Sequence, residues 1–174
     1  LSQPRGGPAP SGHASHQTGL DADIWYVNGA GKSWPPKKVE MVDLERQKTT
    51  ASFDRRVARV LALAAADPHV DRIFVNPVIK RELCAGAGKA RGWLHKVRPW
   101  FLHHEHFHVR LTCPADSPDC RPQEPIADGD GCREVDWWLK PRDEADRSEK
   151  QKEYRSRQGV VPLLPAPCSE VAPR

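Results

Sequence analysis

At 174 residues the chain is long enough to bury one sizeable core, so one domain is expected, and no apolar run approaches the roughly 18 residues that would span a membrane. A formal charge of +4, from 27 basic and 23 acidic residues, is a modest excess spread along the chain. It lacks the interleaving of basic and aromatic residues that a groove for single-stranded nucleic acid needs, so no nucleic-acid partner is expected.

The elements follow in chain order. Residues 1–10 are rich in Gly and Pro and read as loop. Leu20–Val27 alternates apolar and polar residues and reads as a strand carrying Asp21 and Asp23, and residues 28–38 read as a loop. Phe53–Ala66 is the clearest helix, with Ser52 as its cap and Asp54 at the positive end of its dipole. Its core face is predicted to be Val57, Val60, Leu61 and Ala64. Arg72–Val75 is a short apolar strand. Asn76 then caps a helix that has Pro77 at its first turn, where proline fits best, and that runs to the glycines at 86 and 88. A third short helix is expected near Trp93–Val97, with His95 on it in a packing or surface role. Phe107–Cys113 alternates like a half-buried strand. Asp128–Gly131 reads as a turn, since an EF-hand needs further oxygen ligands. A last short helix is expected over Glu134–Leu139. The fold class these elements make is α+β: a small antiparallel sheet flanked by helices, with disulfides. Residues 1–140 form the domain, and 141–174 form a charged, Pro-rich tail.

Four of the eight histidines, at 103, 104, 106 and 108, fall in one stretch that ends on the last strand. Side chains at i and i+2 share a strand face, so His106 and His108 project together, and histidine is the commonest metal ligand. A second cluster, Ser11-Gly-His-Ala-Ser-His-Gln-Thr-Gly-Leu-Asp-Ala-Asp-Ile-Trp25, holds His13, His16, Asp21 and Asp23. Gly19 is available there for backbone angles that would fold His16 back toward Asp23. A catalytic zinc site usually has three protein ligands and one open position. His16, Asp23 and His108 supply two nitrogens and a carboxylate for Zn2+, with His13 either a further ligand or a neighbour of the ligands. Ser11 and Ser15 lie near histidines, but there is no Gly-x-Ser-x-Gly elbow to present a serine nucleophile.

The two stretches together, with Arg72-Ile-Phe-Val-Asn-Pro-Val-Ile-Lys80 and Lys96-Val-Arg-Pro-Trp100, resemble the penicillin-insensitive murein endopeptidases. These are zinc peptidases of the broad group that includes lysostaphin, the D-Ala-D-Ala metallopeptidases and the hedgehog signalling domain. The group pattern, His-x6-Asp followed by His-x-His, is met here by His16, Asp23, His106 and His108. The resemblance covers roughly Gly12 to Trp138. It implies zinc on His16, Asp23 and His108, His106 beside the metal as general base or oxyanion stabiliser, and His103 as a second catalytic histidine. His104 and Glu105 are expected to be peripheral.

The resemblance also implies a substrate, peptidoglycan, cut at the D-alanyl–meso-diaminopimelyl cross-link. The alternatives are a D-Ala-D-Ala carboxypeptidase and a zinc-dependent cell-wall binding module without turnover; a homodimer stays open. Among the five cysteines, Cys113 and Cys120 bracket a short turn that a disulfide could close. Cys84–Cys132 is the second pair that the resemblance implies. Cys168 is left over: the resemblance implies a partner in an N-terminal segment, signal peptide included, that family members carry ahead of the first motif and that is expected to be missing from this sequence, and a free thiol or an intermolecular bridge is the alternative. Disulfides persist in oxidising compartments, and a periplasmic location follows as the expectation.

Overall fold

The structure, a computed structural model, describes residue 16, residues 19–26 and residues 38–140. The readings made above for residues 1–10, Ser11, His13, Ser15, most of the 28–38 loop, Cys168 and the 141–174 tail lie outside the described residues. Two compact units are present, one drawn from Leu1–Ala22 and Lys140–Arg174, the other from Asp23–Leu139. In the first, Gly19 takes a left-handed φ of 79°, which only glycine adopts without a Cβ penalty. The chain turns there between His16 and the start of β1 (Asp21–Trp25).

The second unit holds the sheet and helices. A hairpin, β2 (Val42–Asp43) and β3 (Lys48–Thr49), precedes helix α1 (Arg55–Ala66). Strand β4 (Val70–Val75) leads into helix α2 (Pro77–Gly86), then a 3-10 turn (Gly92–His95) and strand β5 (Val97–Pro99). Strand β6 (His106–Leu111) follows, and a 3-10 turn (Cys132–Glu134) enters helix α3 (Val135–Leu139). The α+β class is as expected. The sheet, in the order β1-β6-β4-β5, is mixed: β4 and β6 run antiparallel, and β5 joins β4 in parallel. A parallel neighbour requires a crossover, which α2 and the 3-10 turn supply. The helix expected at Trp93–Val97 is therefore shorter, because Val97 leaves it to pair with Ile73.

Apolar side chains from both sides of the sequence meet in one core. Met41 and Val42 of the hairpin region, Leu61 of α1, Ile73 and Val75 of β4, Ile79 of α2, Leu94 and Val97 are all completely buried, and Phe107 of β6 is 2 % exposed. Each such side chain contributes about 1.5–3 kcal/mol relative to an exposed one. On α1 the buried residues are Val57, Leu61 and Ala65, four apart, while Val60 is half exposed. The face is thus rotated from the one predicted, towards the 57/61/65 ridge. The cap of α1 is Asp54, whose carboxylate accepts from the Arg56 and Val57 amides; Ser52 lies before the helix. The cap of α2 is Asn76, as its position before Pro77 implies. Two disulfides close the unit, Cys84–Cys132 and Cys113–Cys120. No helix among the described residues is long and apolar enough to cross a membrane.

Lys80, on α2, is completely buried. Its ammonium donates to the Leu94 carbonyl at 2.8 Å and to the Asp130 carbonyl at 2.5 Å, tying α2 to the 128–132 turn. Gly131 in that turn has φ 70°, and a Cβ there would stand 2.6 Å from Nη1 of Arg98, so the turn admits no larger residue without moving that side chain. Burial, with Arg98 nearby as the next cause, pushes the Lys80 pKa down to about 7. In the unfolded chain a lysine holds its proton to about pH 10.4. Between those values the unfolded state binds more protons, so stability rises with pH; below about 7 both states are protonated and the cost is constant. The expected result is a gain of about 2 kcal/mol in unfolding free energy between pH 7 and pH 9, absent from Lys80→Met. Urea melts of the two proteins at both pH values measure it, and parallel pH profiles would show that Lys80 carries no such penalty.

Candidate metal centre

Strand β6 sorts its residues by alternation. Phe107 and Val109 enter the core, and His106 and His108 share the opposite face. His108 lies opposite Phe74 of β4 in the antiparallel register, with ring centroids 5.7 Å apart, so its ring is packed from the side and only 5 % exposed. Strand β1 is the neighbour of β6, and Asp23 reaches across from it. Nδ1 of His108 stands 3.1 Å from Oδ1 of Asp23, and Nε2 of His106 stands 3.6 Å from the same oxygen. His103 completes the group from the loop before β6, 5.0 Å from the His106 ring and 6.1 Å from the His108 ring.

His16, in the other unit, is 2 % exposed. Its Nδ1 donates to the Asp21 carbonyl at 3.2 Å. A carbonyl only accepts, so this bond fixes the ring as the Nδ1–H form, with the lone pair on Nε2. A backbone carbonyl on one nitrogen is the usual support for a histidine that binds a metal through the other.

The electrostatics of the histidines follow from burial. Burial is the largest cause pushing the His103 pKa down, to about 4; its bond to the Phe101 carbonyl acts against this, and the His106 and His108 rings lower it further. Burial also lowers His106, while the Asp23 carboxylate pulls it back. Burial thus favours the neutral form of both imidazoles. His103 donates Nδ1–H to the Phe101 carbonyl at 2.6 Å, which leaves Nε2 as its basic nitrogen.

The loop that carries His103 is unusual. Leu102 and His103 have φ of 61° and 53°, two successive non-glycine residues in the left-handed region. Such conformations cost of the order of 1–3 kcal/mol each and persist only where the surroundings over-determine them. Here the Trp100 amide donates to the Val75 carbonyl at 2.8 Å, and the Met41 amide to the His104 carbonyl at 2.8 Å. The Asn76 side chain donates to the Leu102 carbonyl at 2.7 Å. The sequence stretch marks Asn76 as a helix cap and carries no mark of this second use.

His95 donates Nδ1–H to the Gly129 carbonyl at 2.8 Å. Glu40, His104 and Glu105 also bring donor atoms together, but Lys38 holds Glu105 at 3.0 Å, so a cation already stands there.

Comparison with known proteins places the chain. Residues 1–172 match the family model described as penicillin-insensitive murein endopeptidase. A penicillin-insensitive murein endopeptidase of Haemophilus influenzae is 44% identical over 182 residues, covering 98% of this chain and 60% of that protein. The protein of the same name from Yersinia enterocolitica is 42% identical over 176 residues, covering 97% of this chain and 61% of its own. The chain thus spans about three fifths of the length of these relatives. With nearly every residue inside the match, both histidine clusters included, the chain belongs to the penicillin-insensitive murein endopeptidase family.

Proposed function

We propose that this chain carries the catalytic site of a zinc-dependent murein endopeptidase that hydrolyses the D-alanyl–meso-diaminopimelyl cross-links of peptidoglycan, in the periplasm. The observation that carries the reading is the approach of Asp23 and His108 on one sheet face, with His106 and His103 alongside. Two atoms bound to a tetrahedral zinc at 2.0–2.1 Å stand about 3.3 Å apart. The 3.1 Å between the Asp23 oxygen and the His108 nitrogen fits that edge. His16, bonded by Nδ1 to a carbonyl and offering Nε2, is the third ligand in this reading. The set of two imidazoles and one carboxylate suits zinc and leaves a position for water.

Bound zinc supplies Lewis acidity and makes a water molecule acidic enough to attack near neutral pH. The chain's own residues do the rest. His106, with Nε2 beside Asp23, takes the proton of the attacking water and passes it to the departing amine, a role that a neutral imidazole can fill. His103, held through Nδ1 by the Phe101 carbonyl with its ring beside those of His106 and His108, orients the water or the substrate amide through Nε2. No side chain forms a covalent bond with the substrate, so penicillin, which acylates serine nucleophiles, finds nothing to acylate.

The test is chromatography of cross-linked muropeptide dimers incubated with zinc-loaded full-length protein. Dimers should become monomers in the presence of penicillin, stop doing so with a chelator, and resume when zinc is restored. Inhibition by penicillin without inhibition by chelator would make the enzyme a serine peptidase. Release of terminal D-alanine alone would make it a carboxypeptidase, and retention of murein without cleavage would make it a binding module.

A further inference from the structure

We propose that Asn76 is a positioning residue for the reaction: its side-chain amide holds the left-handed turn at Leu102 and His103 and thereby sets the direction of the His103 imidazole. This rests on the catalytic role given to His103 above.

Asn76 is 4 % exposed and stands at the junction of β4 and α2, two residues beyond Phe74, which packs against the rings of His103 and His108. Its side chain is divided between two tasks. Oδ1 accepts from the Val78 amide at 2.9 Å and caps α2. Nδ2 donates to the Leu102 carbonyl at 2.7 Å. The partners, an N–H and a carbonyl, leave no choice in which end of the amide faces which. The Asn76 backbone amide donates to the next carbonyl, that of His103, at 3.3 Å. One residue therefore holds two successive carbonyls of the only pair of adjacent non-glycine residues with positive φ among those described.

This clamp reaches the imidazole through a short path. The His103 ring is aimed by its bond to the Phe101 carbonyl, one peptide before the clamped one. If the Leu102 peptide relaxes towards the right-handed region that a β-carbon prefers, the Phe101 carbonyl turns with it and the ring loses its anchor. Helix capping alone would not need an amide: aspartate or serine at position 76 caps as well or nearly so. The Nδ2 donor is the part of Asn76 that the helix does not use.

Asn76→Asp separates the two tasks, because it keeps the capping oxygen and removes the donor. In zinc-loaded protein its zinc content and KM should match the parent and its melting temperature should fall, because a carboxylate oxygen replaces the donor to the Leu102 carbonyl, while kcat for muropeptide dimers falls about tenfold to a hundredfold, the scale of a misplaced catalytic group. In a His103→Ala background the same substitution should change kcat no further. Equal losses in both backgrounds would mean a general structural role and would overturn the proposal, as would an unaltered kcat in Asn76→Asp. Asn76→Ser, which caps but is too short to reach Leu102, gives the same comparison if the aspartate variant does not fold. A readout independent of turnover is the long-range 1H–15N spectrum of the histidine rings. His103 should be the Nδ1–H form in the parent and a mixture of forms in Asn76→Asp; an unchanged form would overturn the proposal. If the parent does not cut murein, the functional reading falls while the ring spectra still decide what Asn76 holds.

Discussion

Replacing His108 with alanine should empty the metal site and abolish hydrolysis, whereas replacing His106 should leave the metal in place and slow hydrolysis by about 10²–10⁴-fold, the usual contribution of a general acid–base group. The two residues are two positions apart on β6 and face the same way, so the contrast isolates role from location. His108 is the more buried, packed on Phe74 and 3.1 Å from Asp23. Without it, the proposed set of three ligands falls to two, and the Asp23 carboxylate loses an imidazole at 3.1 Å. His106 is more exposed and stands 3.6 Å from Asp23, beside the ligand pair. Metal analysis of the two purified variants, with circular dichroism to establish folding, measures the difference. Full zinc occupancy in His108→Ala would remove His108 from the ligand set, and loss of zinc in His106→Ala would place His106 in it.

Removing the Cys84–Cys132 bridge should cost about 4 kcal/mol of stability, against about 2–3 kcal/mol for Cys113–Cys120. The reason is loop length: the first closes a separation of 48 residues, the second a separation of 7. The longer bridge also fastens the end of α2 to the 3-10 turn before α3, beside the contact that Lys80 makes with the Asp130 carbonyl. Cys84, Cys132 and Leu139 all pack against the core, so freeing this segment uncovers apolar surface. Urea denaturation of the double-alanine variants of each bridge, at one pH, gives the comparison. Equal losses would mean that local packing, not chain entropy, sets the value of these bridges.

Much of the framework can be read from the chain by itself. The i, i+2 spacing of His106 and His108 predicts a shared strand face, and alternation with Phe107 and Val109 predicts which face is core; both are features of a two-residue period that needs no partner to define it. Asn76 followed by Pro77 marks the start of α2 because capping and the missing proline N–H are local chemistry. The two tight sequence clusters suggest a metal site for the same reason: ligand types and spacings are written in the chain.

What the sequence does not determine is whatever depends on a partner far along the chain. The β2–β3 hairpin has strands of two residues, too short for any periodicity to show. The parallel entry of β5 beside β4 turns on bonds between the Ile73 amide and the Lys96 carbonyl, and between the Trp100 amide and the Val75 carbonyl. Val60 reads as core on helical spacing, yet the position of α1 over the sheet gives that place to Ala65. The left-handed turn at Leu102 and His103 goes against the intrinsic preference of both residues, and it stands because Asn76, distant in sequence, supplies donors to its carbonyls. Local periodicity and capping chemistry choose the elements; the turn that carries His103 is held by long-range hydrogen bonds that exist only once those elements have packed.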